Sequence, residues 1–193
     1  MNIIVIDNGT NNLQKLLFLL KNHNTEIINV KKINLKNTSK ADLIILSGSS
    51  KNAVVKNKSL YNKEIELIKK SKVPMIGICL GFELISFVYH TELKLREERE
   101  KGFVDIEIVN NEAIFKDLPN LKVFESHRWY IDRLSPDLVM LAKSESGIEI
   151  IKHTNRMIYG FQFHPELYIT KTCGHKIFFN LLHYIEKSKL IVE

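Results

Sequence analysis

A cysteine between two glycines, in the segment GICLG at residues 77–81, has the setting of a catalytic nucleophile. An apolar run that predicts a β-strand leads into the segment, and an apolar helical pattern follows it at once. So sharp a turn strains the backbone, and the glycines remove side chains that would clash there. Cys79 would then lie at a helix N-terminus, where free amides favour the thiolate and the Leu80 N–H could hold an oxyanion. The alternative interpretation is that Cys79 serves only as a small apolar residue buried in a core strand.

A histidine that could serve as the base lies far along the chain, in the segment FQFHPEL at residues 161–167. A nucleophilic cysteine needs such a base, and the base needs an orienting group. His164 ends an apolar run that predicts a strand, and Glu166 would project to the same side and could fix the tautomer of the imidazole. His127 stays open as a second candidate, whereas the other histidines lie in polar or helical surroundings. The alternative for His-Pro-Glu is an ordinary turn.

The elements that would position these residues alternate between strand and helix in the first half of the chain. The apolar runs NIIVI, EIINV, DLIILS and VPMIGI predict short strands. Leucines at positions 13, 16, 17 and 20 predict one amphipathic helix, and residues 59–72 predict another. Because the strands are apolar on both faces, this alternation favours a parallel sheet covered by helices on both sides.

In the second half, apolar segments follow one another with little room for helices. FVDIEIV alternates apolar and acidic residues, and LKVFES, DLVMLAK, GIEIIK and MIYGFQF are further strand candidates. This half is therefore expected to form an antiparallel or mixed sheet, followed by a last helix from about residue 175 to 187. No repeat, low-complexity tract or linker interrupts the chain, so residues 1–193 are predicted to form one domain.

Composition excludes several function classes. The net charge of +6 comes from lysines scattered among acidic residues, which is typical of a solvated surface and not of a nucleic-acid site. The N-terminus lacks a secretory signal, so we expect a cytoplasmic protein in which Cys79 and Cys173 are free thiols. No apolar run is long enough to span a membrane. The sequence shows neither a metal-binding spacing of His and Cys nor a phosphate-binding glycine loop, so we expect no metal and no other cofactor.

Taken together, GICLG and FHPE resemble the motifs of the class I (triad) glutamine amidotransferases. The similarity extends over nearly the whole chain, including IDNG near the start and IILSGS, where that family has its oxyanion loop. It implies an α/β fold made of a single three-layer, flavodoxin-like domain. That domain would have a mainly parallel central sheet, helices on both faces, and a smaller antiparallel or mixed sheet in the second half.

The resemblance also implies a chemistry. Cys79 would attack the side-chain amide of L-glutamine, His164 would pass a proton to the departing ammonia, and Glu166 would orient the imidazole. Backbone amides of Ser49 and Leu80 would form the oxyanion hole. The residues implied in substrate binding are Gly48, Glu83, Ser126, His127, Arg128 and Trp129. Ammonia becomes protonated in water, so such proteins pass it directly to a partner, here expected to be a separate ATP-dependent synthetase subunit.

Three positions depart from the pattern of the family. Gly48-Ser49-Ser50 replaces Gly-Gly-Pro, so Ser49 is expected to need help in adopting a glycine-like backbone. Glu83 replaces a glutamine that contacts the substrate, and its carboxylate could pair with the α-ammonium of glutamine or repel the thiolate. Arg128-Trp129 follows Ser-His where members of the GMP type usually have a glycine, which is expected to reshape the pocket.

The sequence is less specific about the acceptor of the ammonia. The segment from SHRWYIDRL to FQFHPE is most similar to the free-standing amidotransferase subunit of GMP synthetases, which makes GMP synthesis the preferred expectation. IDNGTNNLQKL, however, is also similar to the histidine-pathway subunit. GICLGFE is similar to the elbow of γ-glutamyl hydrolases, so a γ-glutamyl peptidase is an alternative function. The altered loop and Glu83 leave a catalytically silent regulatory homologue as another.

Overall fold

The computed structural model describes residues 1–190. Its strands are β1 (Asn2–Asp7), β2 (Asn24–Asn29), β3 (Leu43–Leu46), β4 (Met75–Ile78), β5 (Lys94–Asp105), β6 (Glu107–Ile108), β7 (Lys122–Tyr130), β8 (Leu138–Ser144), β9 (Gly147–His153) and β10 (Ile158–Phe161). Its α-helices are α1 (Leu13–Leu19), α2 (Leu35–Thr38), α3 (Asn62–Lys70), α4 (Leu80–Val88) and α5 (Gly174–Leu190). One sheet has the strand order β2-β1-β3-β4-β10-β9-β8-β6, and β5 pairs with β7 in a second sheet.

The large sheet is parallel from β2 to β10 and lies between two apolar cores. Alternate residues of a strand face opposite sides of a sheet. In β1, Ile3 and Val5 therefore pack with α1 and α5, while Ile4 and Ile6 pack with α3 and α4. The strands β3, β4 and β10 are buried at every position. The predicted three-layer α/β arrangement is confirmed.

Antiparallel pairing begins beyond β10, where β9, β8 and β6 complete the large sheet. The smaller antiparallel sheet predicted for the second half is the pair β5 and β7. The prediction of a single strand over FVDIEIV is wrong, because its first residues end β5 and Glu107–Ile108 form β6 in the other sheet. The chain crosses between the sheets at Ile106, whose side chain is buried and whose N–H donates to the Leu121 carbonyl at 2.8 Å.

Most of β5 carries no apolar signal, and the sequence does not predict it. Its residues from Lys94 to Lys101 are mainly charged and partly or fully exposed, because the buried residues of this two-stranded sheet come mainly from β7. Among the helices of residues 1–190, none is both long enough and apolar enough to cross a membrane.

Candidate active site

Two neighbouring parallel strands bring the predicted nucleophile and base to one edge of the sheet. Ile78, the last residue of β4, pairs with Phe161, the last residue of β10. The Cys79 N–H donates to the Phe161 carbonyl at 2.7 Å, and His164 follows only three residues later. The carboxyl ends of parallel strands meet at one edge, which is where open α/β sheets commonly bind ligands. Two motifs far apart in the sequence are thus placed side by side.

The turn between β4 and α4 has the strained geometry that the glycine spacing predicts. Cys79 has a φ of 51°, a conformation that costs a residue with a side chain about 1–3 kcal/mol. A Cβ added at Gly77 would lie 2.4 Å from the carbonyl carbon of Gly81, and one at Gly81 would lie 2.3 Å from the Leu46 carbonyl oxygen. The turn can therefore close only if both positions lack side chains. Cys79 becomes the residue that precedes α4, so it lies at the end of the helix that carries the free amides.

His164 and Glu166 form the pair that their spacing predicts. His164 Nδ1 lies 2.8 Å from Glu166 Oε1, and both residues are buried. A carboxylate can only accept, so Nδ1 carries the proton and donates it to Glu166, which leaves Nε2 for other partners. The His164 backbone N–H donates to the Phe124 carbonyl at 2.9 Å, which ties this segment to β7.

Gly48 lies between the nucleophile and the base. A Cβ added there would be 3.4 Å from His164 Cε1 and 3.5 Å from Cys79 Cβ. Burial by itself lowers the pKa of His164, but the charges of the Cys79 thiolate and Glu166, with hydrogen bonds to both, outweigh it and raise the pKa to about 10. The ring is therefore an imidazolium at neutral pH. A histidine placed in this way beside a cysteine is the arrangement that can activate a thiol.

The loop Ser47–Ser50, which follows β3, takes a different form from the one expected. No residue in it has a positive φ, so Ser49 does not need a glycine-like backbone. Instead, Ser49 Oγ accepts from the Lys51 and Asn52 N–H groups at 3.4 and 3.3 Å, and Ser50 Oγ donates to the Gly9 carbonyl at 2.9 Å. The serines that replace the usual Gly-Pro thus supply side-chain bonds that hold the loop.

A cavity of about 160 Å³ lies beside Cys79. Its lining contains Ser49, Leu80 and nearly all of the predicted substrate-binding residues, namely Glu83, Ser126, His127, Arg128 and Trp129. Gly48 is not part of the lining, although it lies next to Cys79 and His164. The cavity is therefore placed so that a bound amide could reach the sulfur.

Glu83 is buried in the wall of this cavity, in the first turn of α4. Burial raises its pKa to about 8, so the neutral acid predominates at pH 7. The expected repulsion between a Glu83 carboxylate and the thiolate is therefore small at neutral pH. A neutral carboxyl group both donates and accepts hydrogen bonds, as does the glutamine side chain usual at this position.

His127 is held more firmly than a free substrate ligand would be. Its Nε2 lies 2.9 Å from Glu125 Oε2 and its Nδ1 lies 2.8 Å from the Trp129 carbonyl oxygen. Both ring nitrogens thus face acceptors. His127 therefore lines the cavity with its nitrogens already engaged. Arg128 also has a partner outside the cavity, since its guanidinium donates to the Glu97 carbonyl at 2.7 Å.

Three residues of this region are not predicted from the sequence. Arg99 lines the cavity from β5, the charged strand that periodicity cannot detect. Asn8 and Glu64 lie buried behind the loop Ser47–Ser50. Glu64 could have been noticed, because it lies one helical turn before Ile68 on the apolar face of α3. Within residues 1–190, no group of three or more His, Cys, Asp or Glu side chains is arranged to hold a metal ion.

Comparison with known proteins gives one consistent family. The family model described as glutamine amidotransferase class-I matches residues 4–184. A glutamine-hydrolyzing GMP synthase subunit of Pyrococcus furiosus is 34% identical over 170 residues, which cover 86% of this chain and 89% of that protein. A glutamine-hydrolyzing GMP synthase of Spiroplasma kunkelii is 34% identical over 138 residues, but the match covers only 25% of that longer protein.

Solved structures show the same similarity. A crystal structure of a provisionally assigned GMP synthase subunit from Thermoplasma acidophilum superposes with a TM-score of 0.88 at 25% identity, covering 99% of this chain and 96% of that one. A glutamine amidotransferase from Thermotoga maritima superposes with a TM-score of 0.71 at 22% identity, covering 98% and 85% of the two chains. The second likeness concerns the fold alone.

Proposed function

The chain belongs to the class-I glutamine amidotransferase family, and from this premise we propose that it hydrolyses L-glutamine at Cys79 and delivers the ammonia to a synthetase subunit of GMP synthase. The observation that carries the proposal is that Cys79 and His164 both lie next to Gly48, within 3.5 Å of a Cβ placed there, with Glu166 bonded to Nδ1 of the imidazole. These groups have the arrangement of a nucleophile, a base and an orienting acid.

In the first half-reaction, the Cys79 thiolate attacks the carboxamide carbon of glutamine and forms a carbon–sulfur bond. The imidazolium of His164 gives its Nε2 proton to the amide nitrogen, so the carbon–nitrogen bond breaks and ammonia leaves. Glu166 keeps the Nδ1 proton in place and stabilises the charged ring. A γ-glutamyl thioester and a neutral imidazole are left.

In the second half-reaction, the neutral His164 takes a proton from water, and the oxygen attacks the thioester carbon. The carbon–sulfur bond breaks and the thiolate–imidazolium pair is restored. The product leaves with a γ-carboxyl group that releases its remaining proton to solvent and becomes glutamate. Both steps pass through an oxyanion, which the amides of Leu80 and Ser49 are proposed to bind. Such a donor is commonly worth about 3 kcal/mol in the transition state.

The proposed partner follows from the chemistry of the product and from the relatives. Ammonia released into water at neutral pH would become ammonium, which is not a nucleophile, so it has to pass directly to an acceptor enzyme. The similarity to the GMP synthase subunit of Pyrococcus furiosus over most of both chains supports the synthetase of GMP synthase as that acceptor. The alternative of a γ-glutamyl hydrolase rests on the similarity of GICLGFE alone, whereas the relatives that support the present proposal are glutamine-hydrolyzing GMP synthases.

Two cysteine variants test the proposal in the assembled enzyme. With the synthetase subunit of GMP synthase present, Cys79→Ala should abolish GMP formation from glutamine and leave formation from added ammonia intact. Cys173→Ala is the matched control, because Cys173 is also buried but lies at the start of α5, and it should support both reactions. Glutamine-dependent synthesis by Cys79→Ala at the wild-type rate would refute the assignment.

A further inference from the structure

A buried acid behind the active site has no evident structural reason to be an acid. Glu64, in the first turn of α3, is fully buried, and within residues 1–190 it forms no ion pair. One oxygen, Oε1, accepts from Asn8 Nδ2 at 3.0 Å, and the other has no partner in the described part of the chain. Burial raises the pKa of Glu64 to about 8, although the bond from Asn8 opposes this, so the group is neutral at pH 7. Its contribution there is a hydrogen-bond acceptor and not a charge.

Asn8 connects this acid to the loop Ser47–Ser50. The same amide nitrogen that donates to Glu64 also donates to the Ser47 carbonyl at 3.0 Å. The Asn8 backbone N–H donates to Ser47 Oγ, again at 3.0 Å. Asn8 itself is buried, so no water competes readily for these groups. Two bonds therefore fix Ser47, and Glu64 fixes the side chain that makes one of them.

The loop that begins at Ser47 has little freedom to move without changing the reaction geometry. Gly48 follows Ser47 directly, and its position lies within van der Waals reach of both His164 and Cys79. Donors to an oxyanion act only when they are aligned to within a few tenths of an ångström. If the bonds at Ser47 were lost, a displacement of Ser47 would also displace the Ser49 N–H, which is only two residues further along the backbone.

We propose that Glu64 is a positioning residue for glutamine hydrolysis, which holds Asn8 and through it the oxyanion loop Ser47–Ser50. This inference rests on the proposed function. The three residues come from three different elements, since Asn8 follows β1, Ser47 follows β3 and Glu64 belongs to α3. The network thus anchors the loop to the helix that covers it.

The test compares two reactions of the same cysteine in the complex with the synthetase subunit of GMP synthase. Glutamine hydrolysis requires the oxyanion loop, whereas alkylation of Cys79 by iodoacetamide requires only the thiolate and access to it through the cavity. Glu64→Leu removes the acceptor for Asn8 and should lower kcat about tenfold, a fraction of the roughly 10²–10³-fold loss typical of a missing donor. KM and the alkylation rate should stay within about twofold of the wild type, because the α4 and β7 residues that line the cavity, and the place of Cys79 before α4, do not depend on Glu64.

Matched variants separate positioning from general damage. Glu64→Gln keeps an acceptor oxygen and should retain nearly the wild-type kcat. Glu66→Leu, on the exposed side of the same helix, should do the same. Asn8→Ala should likewise lower kcat and leave the rate of Cys79 alkylation nearly unchanged. This variant replaces Glu64→Leu as the test of the proposal if Glu64→Leu does not fold. The double variant should lose no more than the worse single variant, because both act through one chain of bonds.

Several outcomes would overturn the role of Glu64. These are a wild-type kcat in folded Glu64→Leu, a parallel fall of kcat and the alkylation rate, or additive losses in the double variant. Failure of the wild-type complex to hydrolyse glutamine at all would instead count against the proposed function. The two failures are therefore distinguishable.

Discussion

Replacing Glu83 by glutamine is expected to remove a pH dependence from the free energy of unfolding. Burial raises the pKa of Glu83 from 4.5 to about 8, so the folded protein keeps a proton that the unfolded chain releases. For a group whose pKa is raised on folding, the stabilisation is complete below the unfolded value and is lost as the pH rises through the folded value. The window for Glu83 therefore extends from about pH 4.5 to about pH 8.

The size of the effect follows from proton linkage. Within that window the folded state binds one more proton at Glu83 than the unfolded state. The free energy of unfolding therefore falls by about 1.4 kcal/mol for each pH unit gained. Glutamine does not titrate. The free energy of unfolding of Glu83→Gln, relative to that of the wild type, should therefore rise by about 2 kcal/mol between about pH 6 and pH 7.5. Other buried acids, such as Glu64, titrate in both proteins and cancel in the difference.

Urea unfolding of both proteins at several pH values measures this difference, with equal m values as the condition for comparing them. Glu66→Gln is the control, because Glu66 is partly exposed and pairs with Lys70 at the surface, and its difference from the wild type should barely change over the same range. A stability difference for Glu83→Gln that is constant from pH 6 to pH 7.5 would show that Glu83 is already ionised. That result would refute the neutral-acid explanation of this departure from the family pattern.

Three further changes test the geometry of the site. Gly81→Ala would place a Cβ 2.3 Å from a β3 carbonyl oxygen and should destabilise the protein by about 3 kcal/mol, as measured by thermal or urea unfolding. Gly102→Ala is the control and should leave the stability unchanged, because a Cβ at that position meets open space. Glu166→Gln should lower kcat at least about tenfold with KM nearly unchanged, because an amide stabilises the His164 imidazolium less well than a carboxylate does. An unchanged kcat would show that Glu166 has no part in the mechanism. Cys173, which is fully buried, should resist iodoacetamide in the folded protein and react only after unfolding, as quantified by mass spectrometry.

The parts of the fold and site that the sequence predicts are those with a strong local signal. The apolar strands of the parallel half have no polar face, and their carboxyl ends must meet at one edge. Glycines flanking Cys79 predict the strained turn, and the spacing of His164 and Glu166 predicts their hydrogen bond. In these cases the residue types that produce the geometry stand within a few positions of one another.

The parts that the sequence does not predict depend on contacts between distant segments. The charged strand that carries Arg99 is stabilised by pairing with β7 and has no buried face to reveal it. The bond from Ser50 Oγ reaches the Gly9 carbonyl, which belongs to a residue 41 positions earlier in the chain. Likewise, the neutral state of Glu83 is a consequence of its burial, and the residue type alone does not show how deeply a side chain is buried.

The most direct test of the proposed mechanism is the identity of the atom that a glutamine analogue modifies. Mass spectrometry after treatment of the complex with 6-diazo-5-oxo-L-norleucine should find one adduct, on the peptide that contains Cys79, and excess glutamine should slow its formation. His164→Ala should slow it as well, because the thiolate loses its counterion. An unmodified Cys79 in a complex whose glutamine turnover the reagent has stopped would contradict the central claim.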